Sequence, residues 1–127
     1  MKKNFFITGY SGFIGFSLSK HLLDKGHQVH GFDGLTDYYD VNLKLDRNKI
    51  LAKYNNFSFT KVMLEDEKIL NSSISKFKPE IIIHLAAQAG VRHGIENPHQ
   101  FGSSNLIGML NILETCRHYN IKQMVYA

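Results

Sequence analysis

The sequence contains few cysteine, proline and tryptophan residues. Its 127 residues include one cysteine, two prolines and no tryptophan. The single cysteine, Cys116, excludes an internal disulfide and fits a reducing compartment, so we expect a cytoplasmic protein. Apolar runs such as Ile81-Ile82-Ile83 are too short to cross a bilayer, and Gly9 comes too early to leave room for a signal peptide. We therefore expect neither a membrane span nor a membrane partner.

Charge of one sign is not concentrated anywhere either. The formal net charge is +4 and the isoelectric point is about 9.2, which raises the question of nucleic-acid binding. The 15 Lys and Arg residues are scattered, however, and the longest basic run is Lys2-Lys3. Because nucleic-acid surfaces concentrate basic residues in a patch or stripe, we expect no nucleic-acid partner. We also expect no metal site, since His27 and His30 would point to opposite faces of one strand.

What is present is an alternation between two periodicities. Short apolar runs typical of strands alternate with segments in which apolar residues recur at helical spacing. The predicted strands are residues 5–8, 28–32, 57–61, 81–85 and 123–126. This alternation predicts parallel strands joined by right-handed crossovers, with helices on both faces of the sheet. At 43% hydrophobic residues the chain can bury one core, and we expect a single domain over residues 1–127.

The segments between the predicted strands carry apolar stripes. These are Ile14, Leu18 and Leu22; Leu43, Ile50, Leu51 and Tyr54; Ile69, Leu70, Ser73, Ile74 and Phe77; and Leu106, Met109, Leu110, Ile112, Leu113 and Cys116. Asp66 precedes the third segment, where a carboxylate can accept hydrogen bonds from the first N–H groups of a helix. We therefore expect four amphipathic helices, with Asp66 capping the third.

The first predicted strand runs into the turn Thr8-Gly9-Tyr10-Ser11-Gly12-Phe13-Ile14-Gly15. Gly9 permits a tight turn, Gly12 lets the backbone approach a pyrophosphate, and Gly15 lets the following helix pack against the strand. That helix points its unpaired N–H groups and positive dipole end at the phosphates. The second strand leads to Asp33, a carboxylate placed to accept hydrogen bonds from adenosine ribose hydroxyls. This order of elements predicts a dinucleotide site rather than turn glycines with an unrelated surface aspartate.

Asp33 also bears on which dinucleotide is bound. A carboxylate at this position would repel the 2′-phosphate of NADP. The following residues, Gly34 and Leu35, supply no arginine to bind that phosphate. We therefore expect NAD as the cofactor.

The fourth predicted strand leads into His84-Leu85-Ala86-Ala87-Gln88-Ala89-Gly90-Val91-Arg92. Together with the glycine turn, this stretch resembles the extended short-chain dehydrogenase/reductase superfamily, and within it the NAD-dependent epimerase/dehydratase family. The chain is most similar to the UDP-glucuronate 4-epimerase branch, as is also seen in Gly31-Phe32-Asp33, Asp37-Tyr38-Tyr39-Asp40-Val41-Asn42-Leu43-Lys44, Ile95-Glu96-Asn97-Pro98, Ser104-Asn105-Leu106-Ile107-Gly108, Asn111-Ile112-Leu113-Glu114 and Met124-Val125-Tyr126-Ala127. The resemblance implies a Rossmann-type doubly wound parallel α/β sheet with strand order 3-2-1-4-5, truncated after the fifth strand.

The resemblance also implies roles for individual residues. The implied cofactor-binding residues are Gly9, Gly12, Phe13 and Ile14 at the pyrophosphate, Asp33 at the adenosine ribose, Leu64 after the third strand, Leu85, Ala86 and Ala87 along the middle of the cofactor, and Asn105 from the last helix. The implied substrate-binding residues are Gly90, Val91 and Arg92. A guanidinium binds carboxylate or phosphate through two hydrogen bonds, which suits Arg92 to a sugar nucleotide. An exposed arginine after a strand is the alternative, and Tyr38-Tyr39 either covers the cofactor or forms a surface loop.

The sequence departs from the family pattern at two places. Relatives commonly carry an aspartate after the third strand that binds the adenine amino group, whereas the aligned position here is Met63. The aromatic residue and serine that usually follow the arginine are His93 and Gly94 here. The first departure bears on the adenine contact and the second on the sugar.

Enzymes of this superfamily use Ser or Thr and a Tyr-x-x-x-Lys pair downstream of the fifth strand, and this sequence contains no Tyr-x-x-x-Lys. We therefore name no catalytic residue. We expect the chain to be the NAD-binding portion of a nucleotide-sugar 4-epimerase, inactive by itself, with UDP-glucuronate as the substrate of an intact homodimer. A dehydratase or decarboxylase fragment and a non-catalytic NAD-binding module remain as alternatives.

Overall fold

Strands and helices alternate along the chain. The computed structural model describes residues 1–36, 40–87 and 91–127, without the side chain of Val91. The elements are β1 (Asn4–Thr8), α1 (Phe13–Asp24), β2 (Gln28–Asp33), α2 (Val41–Leu51), β3 (Phe57–Lys61), α3 (Glu67–Phe77), β4 (Ile81–His84), α4 (Val91–Glu96), α5 (Pro98–Gly102), a π-helical turn (Ser103–Ile107), α6 (Gly108–His118) and β5 (Gln123–Tyr126). Within these described ranges, no helix has the length and apolar character needed to span a bilayer.

The strands form one parallel sheet in the order β3-β2-β1-β4-β5. This confirms the predicted fold class and strand order. The chain moves outward from β1 to β3 and then returns to the other side of β1. Thr8 lies beside both Phe32 and His84, so the carboxyl ends of the three central strands reach the same edge. The reversal between β1 and β4 opens a crevice at that edge, where sheets of this kind bind their ligands.

Each face of the sheet has its own apolar core. On the face covered by α3 and α6, the buried side chains are Phe6, Phe32, Leu64, Leu70, Ile74, Ile82 and Ile112. On the face covered by α1 and α2, they are Ile7, Tyr10, Leu23, Val29, Leu51 and Ile83. Adjacent residues in β1 therefore point into different cores, as Phe6 and Ile7 do. This is why β1 and β4 carry consecutive apolar residues instead of alternating apolar and polar ones.

The rotation of α2 about its axis differs from the prediction. The predicted stripe included Leu43 and Ile50, but both of these side chains are exposed. Leu51 of the same stripe is buried as predicted, and so is Lys44, which the stripe did not include. The helix packs on the glycine turn through polar side chains, and apolar periodicity cannot detect such a contact.

The segment between β4 and β5 contains more helix than predicted. Two short helices and the π-helical turn precede α6. Within the fourth predicted stripe Ile112 is fully buried, but Leu106, Leu110 and Leu113 are 72%, 53% and 47% exposed. These three leucines form an apolar strip on the outer side of the molecule, which we call the leucine strip.

His30, in the middle of β2, is a core residue. Its ring stacks on Phe6 with 5.3 Å between centroids, and its two nitrogens hydrogen-bond Ser58 Oγ at 2.7 Å and Thr60 Oγ1 at 2.9 Å. Burial lowers the pKa of His30 to about 4, so the ring is neutral near pH 7. His30 therefore serves packing and lies away from the carboxyl edge of the sheet.

Candidate functional site

A cleft of about 440 Å³ lies at the carboxyl edge of the sheet. Its walls come from the glycine turn, the residues that follow β2, β3 and β4, and one side of α2. The lining residues are Gly9, Gly12, Phe13, Ile14, Gly15, Phe32, Asp33, Gly34, Thr36, Lys44, Arg47, Val62, Met63, Leu64, Glu65, Leu85, Ala86, Ala87, Ser104 and Ala127. The cleft thus brings together nine of the ten residues assigned to the cofactor from the sequence, all except Asn105.

Gly9 is the tightest point of the cleft floor. Its φ is +71°, a left-handed conformation that glycine adopts without strain. A Cβ at Gly9 would lie 2.8 Å from the backbone nitrogen of Ala86, closer than real contacts allow. The Gly9 N–H also donates to the carbonyl of Phe32 at 2.9 Å. Gly9 therefore holds the ends of β1, β2 and β4 together, which confirms the predicted tight turn.

Gly15 fixes the position of α1 against this turn. A Cβ at Gly15 would lie 2.1 Å from the carbonyl oxygen of Gly9, so the helix approaches the turn backbone to backbone. This confirms the predicted packing role of Gly15. The helix begins after Gly12, and no side chain caps its N-terminal N–H groups. An uncapped helix N-terminus that opens into a cleft can bind an anion such as a pyrophosphate.

Phe13 and Ile14 begin α1 with their side chains in the cleft wall. They are 77% and 62% exposed, although both are large and apolar. The sequence pattern placed Ile14 in the stripe of α1, but the helix buries Gly15, Ser19 and Leu23 instead. Exposed apolar side chains that line a concave site are typical of ligand-binding surfaces.

Asp33, the last residue of β2, has its carboxylate held in place by two backbone N–H groups. Ser11 N–H donates to Oδ2 at 3.2 Å and Leu35 N–H donates to Oδ1 at 2.7 Å. Each carboxylate oxygen has two lone pairs, so each can accept a further hydrogen bond. The side chain is thus fixed beside the glycine turn with acceptor capacity directed at the cleft, which it lines.

Thr8 joins the carboxyl ends of β1 and β4 through its buried hydroxyl. Thr8 Oγ1 accepts hydrogen bonds from Leu85 N–H and Ala86 N–H, both at 3.1 Å, and lies 2.7 Å from His84 Nδ1. Because the two N–H groups use the oxygen lone pairs, the hydroxyl proton must go to His84 Nδ1. This assigns the imidazole proton to Nε2. Burial lowers the pKa of His84, which agrees with a neutral ring.

Two basic residues of the cleft were missed by sequence reasoning. Lys44 is buried, and its Nζ lies 3.4 Å from Thr36 Oγ1. Arg47 Nη1 donates to the carbonyl of Ser11 at 2.9 Å, and its guanidinium lies 6.0 Å from the centre of the Phe16 ring. The i, i+3 spacing places both side chains on one face of α2. Only the tertiary structure turns that face towards the glycine turn.

The residues assigned to the sugar nucleotide are less well placed. Gly90 and the side chain of Val91 lie outside the described residues, as do Tyr38 and Tyr39. Arg92 lies on α4, largely exposed, with its Nε 3.2 Å from Glu96 Oε1. It does not line the cleft. Of this group, the Arg92 side chain alone is described, and it lies apart from the residues that line the cleft.

The π-helical turn places its residues differently from the prediction. Ser104 is buried and lines the cleft, whereas the neighbouring Asn105 is half-buried and does not. Ser104 is therefore a cleft residue that the sequence analysis did not assign. In the part of the chain that the structure describes, no three His, Cys, Asp or Glu side chains gather as a metal site.

Residues 6–127 match the model of the family described as GDP-mannose 4,6 dehydratase. The chain belongs to this family. A probable UDP-glucuronate 4-epimerase from Rhizobium meliloti (strain 1021) is 48% identical over 123 residues, which cover 97% of this chain and 36% of that protein.

Solved structures show the same relationship. UDP-glucose 4-epimerase of Thermotoga maritima, solved with UDP-glucose, is 32% identical with a TM-score of 0.82, over 97% of this chain and 37% of that one. UDP-glucose 4-epimerase of Thermus thermophilus, solved with NAD, is 30% identical with a TM-score of 0.79, over 95% of this chain and 36% of that one. The chain thus spans little more than a third of the length of these family members.

The junction at Thr8 can be tested with two substitutions. Thr8→Val keeps the shape but leaves Ala86 N–H and His84 Nδ1 without the hydroxyl, while Leu85 N–H keeps the Thr8 carbonyl at 3.2 Å. We expect a loss of about 2 kcal/mol in the free energy of unfolding, from unsatisfied buried polar groups. Thr8→Ser keeps the hydroxyl and should lose about 1 kcal/mol or less, from one buried methyl group. Urea unfolding followed by circular dichroism measures both; a valine variant as stable as the serine variant would contradict this role.

Proposed function

We propose that this chain is the NAD-binding portion of a nucleotide-sugar 4-epimerase that acts on UDP-glucuronate. The observation that carries the proposal is the cleft, in which the glycine turn, the uncapped N-terminus of α1 and the Asp33 carboxylate share one wall. Support for the epimerase reaction comes from the similarity to the probable UDP-glucuronate 4-epimerase and to the two UDP-glucose 4-epimerases.

The cleft residues fit a dinucleotide. We assign the pyrophosphate to the turn at Gly12, whose own N–H donates to the carbonyl of Gly9, and to the N–H groups of Phe13 and Ile14, because no side chain caps the helix there and its end carries a positive dipole. We assign the adenosine ribose hydroxyls to the oxygens of Asp33, which two backbone N–H groups hold in place. The nicotinamide ring supplies the hydride acceptor when the cofactor is bound.

The remaining assigned residues extend this path across the sheet. Leu85, Ala86 and Ala87 continue the cleft past the end of β4, where Gly9 leaves the backbone accessible, and Leu64 lines its other end. Asn105 stays in the assignment as a residue that positions the π-helical turn, since Ser104 beside it lines the cleft. The chain's own residues thus bind and orient the cofactor.

The choice of NAD over NADP depends on Asp33 alone. No arginine follows Asp33 directly in the chain, but Lys44 and Arg47 of α2 also line the cleft. Two cations in the wall would favour a 2′-phosphate, and the carboxylate opposes it. Because Asp33 is the charged group that we place at the ribose, its carboxylate makes the site prefer NAD to NADP.

The sugar nucleotide is assigned to the segment after β4. We propose that Gly90, Val91 and Arg92 face the substrate, with the Arg92 guanidinium binding the glucuronate carboxylate or a phosphate. The exposed pair between Arg92 and Glu96 costs little to break, because a solvent-exposed ion pair contributes at most about 1 kcal/mol.

We also propose that the protein is a homodimer joined through the leucine strip. Leu106, Leu110 and Leu113 repeat along the outer side of α6 and the π-helical turn, with Ile107 beside them. An apolar strip along one helix can pack against its own copy across a two-fold axis. Such an exposed strip is otherwise a liability for a protein in water.

Cofactor choice gives the direct test of the proposal. The unmodified chain should bind NAD more tightly than NADP. Asp33→Asn should weaken NAD binding by about tenfold, through the lost hydrogen bonds to the ribose, and should raise the affinity for NADP relative to NAD. Isothermal titration calorimetry with both dinucleotides measures this.

Gly12→Val is the matched loss-of-binding control for that titration. Gly12 has φ −72° and ψ 175°, which any residue can adopt, so valine should leave the fold intact while its side chain blocks the pyrophosphate. NADP binding at least as tight as NAD in the unmodified chain, or undiminished NAD binding by Gly12→Val, would count against the assignment.

The sugar assignment is tested on the NAD-loaded protein. We expect UDP-glucuronate to bind more tightly than UDP-glucose, and we expect that preference to disappear in Arg92→Ala because the carboxylate then has no guanidinium partner. Calorimetric titration of each sugar nucleotide measures the two affinities. Equal affinities in the unmodified protein would refute the choice of UDP-glucuronate.

The leucine strip is tested by changing one residue at its centre. Leu110→Glu places a charge in the proposed interface and should shift the protein from dimer to monomer in sedimentation velocity. Leu45→Glu is the control, since Leu45 is an exposed apolar residue of α2, away from the strip. A monomeric unmodified protein, or equal effects of the two variants, would refute this interface.

A further inference from the structure

The outer end of the cleft, beyond Asp33, has an unusual chemical composition for a base-binding site. β3 lies next to β2, so the residues that follow β3 form the wall beyond the proposed ribose position. Val62 N–H donates to the backbone carbonyl of Asp33 at 3.1 Å, which ties this wall to the end of β2. Val62, Met63 and Leu64 line the cleft there. The part of the cleft where the adenine would lie is therefore mainly apolar.

Met63 is packed against Gly34. A Cβ on Gly34 would lie 1.9 Å from Met63 Sδ and 3.2 Å from Met63 Cγ. Gly34 is absent from the residues with positive φ, so its backbone conformation is open to any residue. Gly34 has no side chain, and this leaves the space in which the Met63 thioether lies directly over the backbone beside Asp33. We call this pair the Met63–Gly34 seat.

The carboxylates of Asp33 and Asp66, near the seat, accept hydrogen bonds from backbone N–H groups. Asp66 does not line the cleft; its Oδ1 caps α3 by accepting from Ile69 N–H at 3.1 Å, as the sequence predicted. The oxygens of Asp33 accept from backbone N–H groups and face the ribose position. Glu65 is the other carboxylate in the cleft wall. No carboxylate occupies position 63, where Met63 meets the cleft.

We infer that the Met63–Gly34 seat holds the purine by apolar contact and does not read the substituent at its C6 position. This rests on the proposed function, since it assumes that a dinucleotide occupies the cleft. A thioether is polarizable and makes favourable contacts with aromatic rings regardless of their substituents. A carboxylate, in contrast, accepts a hydrogen bond from an amino group and repels a carbonyl oxygen. The chain therefore accepts dinucleotides with either an amino group or an oxygen at C6.

The test compares NAD with nicotinamide hypoxanthine dinucleotide, in which oxygen replaces the C6 amino group and N1 carries a proton. Calorimetry on the unmodified chain should give affinities within about threefold of each other. Met63→Asp should create discrimination, with NAD about tenfold or more tighter, because a hydrogen bond to a charged group is worth at least that factor. Met63→Leu is the matched apolar control and should keep the two affinities similar.

The two affinities distinguish failure of this inference from failure of the proposed function. A tenfold or greater preference for NAD in the unmodified chain would overturn the inference, and loss of that preference in Glu65→Gln would identify Glu65 as the reader of the amino group. The comparison in the unmodified chain needs no variant, so it decides the matter even if Met63→Asp does not fold. Binding of neither dinucleotide would overturn the proposed function and this inference with it. Tight NAD binding with strong discrimination would overturn the inference alone.

Discussion

The backbone contact between Gly9 and the end of β4 is the constraint on which the cleft depends. A side chain at Gly9 would meet the backbone of Ala86, and one at Gly15 would meet the carbonyl of Gly9. Strand β1, helix α1 and strand β4 are thus brought within backbone contact at one point. The Thr8 hydroxyl closes the same point from the other side by binding Leu85 and Ala86 N–H groups. A floor built from backbone leaves room above it for a ligand.

Around this floor, polar contacts hold the walls in place. Tyr10 projects from the glycine turn into the core, and its hydroxyl donates to Asn48 Oδ1 of α2 at 2.6 Å. Burial raises the pKa of Tyr10 to about 12, so the hydroxyl remains a donor at neutral pH. Arg47 binds the carbonyl of Ser11, whose N–H in turn binds Asp33. The glycine turn, α2 and the end of β2 therefore form one connected network.

This network has consequences for recognition. The cations of α2 and the carboxylate of Asp33 lie in the same wall, so the charge that a ligand meets depends on which of them it approaches first. Beyond Asp33 the wall changes from charged to apolar at Met63. Charge therefore selects the ligand at the proposed ribose position, whereas apolar contact holds the part of the ligand that lies beyond it. The family to which the chain belongs is consistent with such a site.

The family resemblance implied the strand order, and the sequence by itself determined the strands and the positions of the glycine turn and Asp33. These features are local: periodicity defines a strand, and a glycine or a carboxylate at a strand end marks an edge. The cap at Asp66 was equally local. The tertiary structure alone decided that Lys44 and Arg47 face the cleft, that Ser104 lines it in place of Asn105, and that Met63 lies over Gly34. Those outcomes depend on how helices rotate and how loops from different strands meet, and such contacts between distant residues leave no periodic pattern in the chain.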